Sequence, residues 1–199
     1  MRVIELAVDT SMYTCRSYLI LGEWNVLGDV NTLIDPGTDG SVIHQIETLS
    51  TGCGKVPVEQ VIFTHNHFDH AAGVEIFKER YGARVYGWSD GKHVDEVMRD
   101  GQLIKAGDDL LQVLHTPGHS SDSVCLYNLN KQILFSGDTQ LRVRVSDGVF
   151  APEYIESLRR LSTLRLDVVY SGHDEPVRQN AEGMIRETLY NVMNSRDNG

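Results

Sequence analysis

The chain has 199 residues, of which 41% are apolar and 23% are charged, and its formal net charge is −10. This length suits one αβ domain over residues 1–199, and the composition is typical of a folded globular protein rather than a disordered one. No run of about 18 apolar residues occurs, so no membrane span is predicted, and the acidic balance without a Lys/Arg cluster disfavours a nucleic-acid partner.

The first half of the chain mixes strand-like and helix-like segments. Strands are predicted at residues 3–8, 17–21, 30–34, 61–63 and 84–86, and helices at residues 42–49, 71–81 and 90–99. The strand at 61–63 is short and wholly apolar, so we expect it to be buried. Asp69 is expected to cap the helix at 71–81.

The second half repeats the pattern. Strands are predicted at residues 110–115, 124–128, 132–135 and 168–170, and helices at residues 152–164 and 181–193. Pro152 opens the first of these helices, a position that proline favours. Strands come first in each half and helices follow, which indicates two sheets packed face to face with helices outside.

The N-terminus and the cysteines bear on location. Glu5 lies among the first residues and no small-residue cleavage site is visible, so no signal peptide is predicted and we expect a cytoplasmic protein. The three cysteines are odd in number and lack a CxxC spacing, which disfavours a disulfide framework and a thiolate zinc site. Cys125 is expected to be a small core residue.

The segment Thr64-His65-Asn66-His67-Phe68-Asp69-His70 concentrates titratable side chains between a buried strand and a helix. Side chains in a turn point in different directions, so His65 and His67 can serve one metal while Asp69 and His70 serve a second. Crowding these groups is costly unless a cation offsets the cost. The alternative is a surface loop that happens to be rich in histidine.

Three further segments place a ligand-type residue directly after glycine at the end of an apolar strand. They are Gly118-His119, Gly137-Asp138 and Gly172-His173. One histidine after a strand is more often a core or surface residue, but three such strand ends favour a common site.

These motifs, from Ile34-Asp35-Pro36-Gly37 to His173, closely resemble the metallo-β-lactamase superfamily. The resemblance implies an α/β (α+β) fold, a four-layer αββα sandwich. It also implies that His65, His67 and His119 bind a first metal, that Asp69, His70 and His173 bind a second, and that Asp138 bridges them. Asp35 resembles the family's aspartate that orients a ligand histidine, although it also suits a turn before Pro36. The remaining histidines fit no ligand position: His44, His93 and His115.

Imidazole and carboxylate ligands suit two divalent ions, Zn²⁺ first, with Fe or Mn as alternatives, since no thiolate selects zinc. Two such ions would share a hydroxide that attacks a carbonyl, with Asp69 and Asp138 orienting it as catalytic residues. No GxSxG nucleophile motif is present.

Within the superfamily, the segments at residues 115–123 and 136–139 resemble the glyoxalase II-like group, which implies hydrolysis of a small thioester. Two features depart from that group: the segment from Thr139 to Val145 lacks its Gly-rich pattern, and only about 26 residues follow His173. The alternatives are a persulfide dioxygenase with one iron, a lactonase, or a non-catalytic metal-binding domain. Arg142 and Arg144 are either plain surface residues or contacts to an anionic substrate.

Overall fold

The computed structural model describes residues 1–24, 26–144 and 148–195. The first half of the chain forms a six-stranded sheet in the order β1-β2-β3-β4-β5-β6. Its first three strands are antiparallel and its last four pair in parallel. The strands are β1 Arg2–Glu5, β2 Tyr18–Leu21, β3 Thr32–Ile34, β4 Gln60–Ile62, β5 Arg84–Gly87 and β6 Glu96–Val97.

The second half forms a five-stranded sheet in the order β11-β10-β9-β8-β7. Strands β7 to β10 are antiparallel, and β10 pairs with β11 in parallel. The strands are β7 Leu103–Ala106, β8 Asp109–His115, β9 Val124–Asn128, β10 Ile133–Gly137 and β11 Val168–Ser171.

Within the described residues, five helices cover the outer faces of the two sheets. Three follow strands of the first sheet and two belong with the second: α1 Ile43–Glu47, α2 Phe68–Ala71, α3 Val74–Tyr81, α4 Pro152–Leu161 and α5 Ala181–Met193.

Three apolar clusters separate these layers. Ile20 and Val113 belong to the cluster between the sheets, whereas Leu19, next to Ile20 in β2, belongs to the cluster beneath α1 and α3. Successive side chains of a strand point to opposite faces, so one strand serves two layers. The third cluster joins the second sheet to α4 and α5, for example Leu134 with Leu158. The predicted αββα sandwich is therefore confirmed.

Two predicted helices differ from the structure. Residues 90–99 form no helix, because residues 95–98 use their backbone to extend the sheet: Asp95 and Met98 donate to Val85 and Gly87, and β6 pairs with β5. The predicted helix 71–81 is instead two helices, α2 and α3, which break at Gly73. A Cβ at Gly73 would lie 2.7 Å from the carbonyl oxygen of Asp39, so the chain turns where only glycine fits.

Other predictions need smaller corrections. Asp69 lies inside the first turn of α2 and does not cap a helix; the residue at the N-cap is His67. Strand β7 was not predicted, because its exposed Leu103 and Lys105 alternate with buried residues over only four positions. Cys125 is fully buried, as expected. In the part of the chain that the structure describes, no helix is long and apolar enough to cross a membrane. The single-domain assignment stays a prediction.

Candidate metal centre

The polar motif after β4 lies where a buried strand ends and a short helix begins. His65 is 1% exposed, and Asp69 and His70 are buried within α2. His67 is exposed and occupies the N-cap position with extended backbone. The change from strand to helix within five residues points these four side chains in different directions.

The carboxyl ends of β8, β10 and β11 deliver the other three predicted residues to the same place. His119 follows β8, Asp138 follows β10 and His173 follows β11. All seven residues predicted from the sequence therefore meet at one edge of the two sheets.

The seven side chains fall into two clusters. The first contains His65, His67 and His119, and the second contains Asp69, His70, Asp138 and His173. Within each cluster the potential ligand atoms all lie within 4.8 Å of one another. This division is the one that the sequence resemblance implies.

Asp138 contacts both clusters. Its Oδ2 lies 3.5 Å from Nε2 of His119 in the first cluster and 3.4 Å from Nε2 of His173 in the second. Its Oδ1 lies 3.2 Å from Nε2 of His70. A carboxylate between two groups of imidazoles has the position required of a bridging ligand.

Within the described residues, three buried polar atoms at the centre of the site make no hydrogen bond of normal geometry: Nε2 of His65, Nε2 of His70 and Oδ1 of Asp138. Buried polar atoms are normally paired, because an unpaired one costs about 1–3 kcal/mol. Two imidazole nitrogens and a carboxylate oxygen that converge without partners form a donor set that fits divalent cations.

Burial and neighbouring charges shift the pKa values of three of the cluster histidines in different directions. Burial, with the charge of His70, lowers the pKa of His65 to about 4, so this ring is neutral near pH 7. Burial also lowers the pKa of His119. Burial acts the same way on His70, but Asp35 and Asp138 outweigh it and raise the pKa of His70 well above its usual value.

The pKa values of Asp138 and His173 are shifted by the contact between these two side chains. Burial raises the pKa of Asp138, but the imidazoles of His173 and His70 outweigh burial and hold it below the usual range. The contact with Asp138 in turn raises the pKa of His173. Asp138 is therefore an ionised carboxylate in the site.

Asp35 contacts the Nδ1 side of His70, a residue of the second cluster, which supports the first of its two interpretations. It is 1% exposed and has a positive φ of 52°. Its Oδ2 lies 3.0 Å from Nδ1 of His70, and its two oxygens accept hydrogen bonds from the backbone N–H and the hydroxyl of Thr64 at 2.7 and 3.0 Å. An acceptor at Nδ1 keeps the proton there and leaves Nε2 free to bind a metal.

Two of the glycines that precede cluster residues, Gly137 and Gly172, make room for the site. A Cβ at Gly172 would lie 2.3 Å from Oδ1 of Asp138 and 2.7 Å from Cε1 of His70. Gly137 has a φ of 49°, and a Cβ there would lie 2.3 Å from the hydroxyl of Thr64. The Gly-ligand pattern therefore has a steric cause.

Sequence reasoning missed residues that border the clusters, among them Asp122 and Cys15. Asp122 accepts a hydrogen bond of 3.0 Å from the backbone N–H of Asn66, which ties the loop carrying His119 to the loop carrying His67. Cys15 is buried beside Asp35 and His70, and burial raises the pKa of its thiol to about 11. Both contacts join distant parts of the chain and have no local sequence signal.

The histidines left out of the ligand set lie elsewhere. His115 stacks on Trp88, with ring centroids 4.0 Å apart, and its Nε2 lies 2.9 Å from the carbonyl of Ser121. His44 is exposed on α1, and His93 lies 3.9 Å from Glu75. Among the described residues, these three histidines belong to neither cluster.

A cavity of about 320 Å³ opens beside the clusters. Three cluster residues line it, and Leu141, Val169, Val177 and Met184 provide apolar walls together with the exposed Arg142. Arg144 lies outside this cavity, on a neighbouring groove that also includes Arg142. Val145 lies outside the described residues.

An αββα sandwich that joins two histidine and aspartate clusters through one carboxylate is the architecture of a metal-binding hydrolase. The model of the metallo-beta-lactamase superfamily matches residues 13–89 and 87–173, so the chain belongs to that superfamily. The prediction of an enzyme of this hydrolase superfamily is confirmed.

Curated relatives and a solved structure agree with this assignment. The hydroxyacylglutathione hydrolase of Bradyrhizobium sp. (strain ORS 278) is 32% identical over 181 residues, which cover 85% of this chain and 68% of the relative. An atrochrysone carboxyl ACP thioesterase of Aspergillus fumigatus is 29% identical over 166 residues, covering 81% of this chain and 52% of the relative. The crystal structure of ETHE1 from Myxococcus xanthus has a TM-score of 0.70 at 25% identity and covers 98% of this chain and 92% of that chain.

Proposed function

We propose that the protein hydrolyses a small thioester at a centre that holds two divalent metal ions. The observation that carries this proposal is the position of Asp138 between the two clusters, beside a cavity of about 320 Å³. A pair of adjacent metal positions that opens on a cavity of this size suits small-molecule hydrolysis.

In this proposal His65, His67 and His119 hold one ion, and Asp69, His70 and His173 hold the other, with Asp138 shared. Zn²⁺ is the ion proposed first, and Fe or Mn fits the same oxygen and nitrogen donors. When bound, such ions supply Lewis acidity, which lowers the pKa of a coordinated water towards about 7 and polarises a carbonyl.

The carboxylates orient the water and handle its proton. Oδ2 of Asp69 lies 3.0 Å from Nε2 of His173, so this carboxylate is fixed in the second cluster and is buried from bulk water. The water oxygen bonds to the carbonyl carbon while Asp69 accepts the proton. The C–S bond then breaks and the proton passes to the leaving sulfur. Asp138, which contacts both clusters, would help to orient the water.

The thioester assignment draws on both the cavity and the relatives. The names of the Bradyrhizobium hydrolase and the Aspergillus thioesterase both describe thioester substrates. Four apolar side chains wall part of the cavity, and Arg142 lies among its polar residues together with the carboxylate of Asp174, so we propose a substrate with an apolar part and an anionic group that reaches Arg142. We propose that Arg142, more than Arg144, meets that group.

The test pairs metal content with turnover. Protein purified without added metal is analysed for its metal content per chain and assayed with S-lactoylglutathione and a simple acyl thioester. Two ions per chain with thioester turnover is the expected result. One iron per chain with oxygen consumption and no hydrolysis would favour sulfur oxidation, and protein that binds no metal when zinc is added would refute the proposal.

A matched pair of histidine variants tests the first cluster. His67→Ala should remove one ion per chain and nearly all turnover, and it should leave the fold largely intact because the side chain is exposed. His44→Ala, also exposed but on α1, is the control and should keep both ions. Full turnover in His67→Ala would contradict the mechanism.

A further inference from the structure

Two exposed aromatic rings stand against the metal centre. Tyr13 is 65% exposed and Phe68 is 60% exposed, yet their ring centroids lie 6.0 Å apart. The Tyr13 ring also stacks on the ring of His173, with centroids 5.4 Å apart and an interplanar angle of 24°. Phe68 lies in the chain between His67 and Asp69. Both rings therefore lie next to the second cluster: Tyr13 stacks on His173, and Phe68 directly precedes Asp69 in the chain.

The backbone at Tyr13 and in the residues directly after it is held by hydrogen bonds. The carbonyl of Tyr13 accepts a hydrogen bond of 2.7 Å from the hydroxyl of Thr38, and the N–H of Cys15 donates to the carbonyl of Asp69 at 3.1 Å. Phe68 is the first residue of α2, and its carbonyl accepts from the N–H of Ala72 at 3.0 Å. The backbone positions of both residues are therefore set by the fold, and the Tyr13 ring is placed further by its stacking on His173.

From this geometry we propose that Tyr13 and Phe68 form a binding surface for an apolar group of the substrate, next to the bond that is cleaved. This inference rests on the proposed thioester hydrolysis and narrows its substrate to thioesters with a bulky apolar or aromatic group. Aromatic side chains supply large contact area at a low cost in conformational entropy. Most of the two rings is left exposed, so a ligand can still cover them.

We infer that a group of the substrate covers the two rings, because the rings lie directly beside the proposed catalytic centre. Oδ2 of Asp69 and Nε2 of His173 lie 3.0 Å apart, and the Tyr13 ring covers the face of His173. A reacting atom held at Asp69 and His173 therefore brings the groups attached to it within contact distance of the Tyr13 ring. The polar part of the substrate can then occupy the cavity that is lined by Arg142 and His173.

The experiment compares small and bulky substrates in two series. One series keeps N-acetylcysteamine as the thiol and varies the acyl group from acetyl to hexanoyl and phenylacetyl; the other keeps the acetyl group and varies the thiol from methanethiol to thiophenol. In Tyr13→Ala and Phe68→Ala, the preference in kcat/KM for the bulky member should fall about tenfold in one series, a factor equal to roughly 1.4 kcal/mol. The series that responds identifies whether the acyl or the thiol group contacts the rings.

Three controls separate the rings from the fold. Tyr13→Phe keeps the ring and should keep the preference. Tyr190→Ala removes a tyrosine that is 67% exposed on α5, and it should leave kcat/KM unchanged for both the small and the bulky substrates. Metal content and the midpoint of thermal unfolding should match the wild type in both alanine variants, since neither ring binds metal or fills the core.

A binding measurement keeps this inference separate from the proposed function. Zinc-loaded protein is titrated with phenylacetate and with acetate, and the wild type should bind phenylacetate about tenfold more tightly, a gap that closes in Tyr13→Ala. If no thioester is turned over but this gap is present, the proposed function fails and the aromatic surface stands. Equal losses for small and bulky ligands, or no change in either variant, would overturn the inference.

Discussion

The contact between Asp35 and His70 allows a sharp prediction for Asp35→Asn. Asparagine keeps the shape of the side chain and tolerates the positive φ of 52° at this position, so the backbone should not change. What changes is one oxygen, which becomes an NH₂ group. Either the backbone N–H of Thr64 or Nδ1 of His70 then faces a donor instead of an acceptor.

The first arrangement leaves a buried N–H without an acceptor, which costs about 1–3 kcal/mol. The second forces Nδ1 of His70 to accept and moves the ring proton to Nε2, the atom that faces Asp69 and Asp138. Either way, binding of an ion to the second cluster should weaken by roughly 10–100-fold, the usual effect of removing the group that orients a ligand histidine. The first cluster is linked to Asp35 only through Thr64, whose hydroxyl contacts both Oδ2 of Asp35 and, at 3.2 Å, Nδ1 of His65, so its affinity should fall less than that of the second cluster.

The assay is a zinc titration of metal-free protein against a chromophoric chelator, fitted to two sites. Asp167→Asn is the matched control, because Asp167 is exposed and removed from both clusters. Wild-type affinity at both sites in Asp35→Asn would refute the argument, and so would a loss confined to the first site.

Three other predictions concern the same site. Arg142→Gln should raise KM for an anionic thioester about two- to fivefold with little change in kcat, as expected of an exposed ion pair, and an unchanged KM would make Arg142 a plain surface residue. Gly172→Ala should displace Asp138 and His70 and lower kcat/KM roughly 100-fold with loss of one ion per chain; wild-type kinetics would contradict the steric argument. Zinc binding should release protons at pH 7, because the raised pKa of His70 keeps this ring protonated in metal-free protein, and apparent affinity should therefore fall as the pH is lowered. Titration calorimetry in buffers with different ionisation enthalpies measures this release, and heats independent of buffer would contradict it.

The seven cluster residues could be predicted because four of them lie in one polar motif directly after buried strand β4 and the other three share a local signal. A buried strand ends, a glycine allows a close approach, and a histidine or aspartate follows, as at Gly172-His173. Helix α5 was predicted with its observed bounds for a similar reason, since a long amphipathic repeat needs no tertiary information.

The contacts that sequence reasoning missed join residues that are far apart in the chain. Tyr13 reaches His173, and Asp122 reaches Asn66, and nothing near these residues in the sequence marks the pairing. The helix wrongly predicted at residues 90–99 failed for a related reason. Its backbone groups are used by β5, and a neighbouring strand overrides a weak helical preference.

The loops that carry the cluster residues are tied to one another through their backbones, and this explains why loss of a metal should not unfold the protein. Each bond joins segments that a local motif would leave independent: Cys15 N–H to Asp69 O at 3.1 Å, Arg16 N–H to Gly172 O at 2.7 Å, Val124 N–H to Thr64 O at 2.8 Å, and Gly172 N–H to Gly137 O at 2.8 Å. None of these bonds uses a cluster side chain. The loops are thus positioned by the sheets and by one another, whereas in small metal-folded domains the ion itself supplies the folding energy. Because the scaffold positions the cluster residues in advance, the ions are not needed to fold the protein. The same scaffold fixes the backbone of Tyr13 and Phe68 beside the clusters.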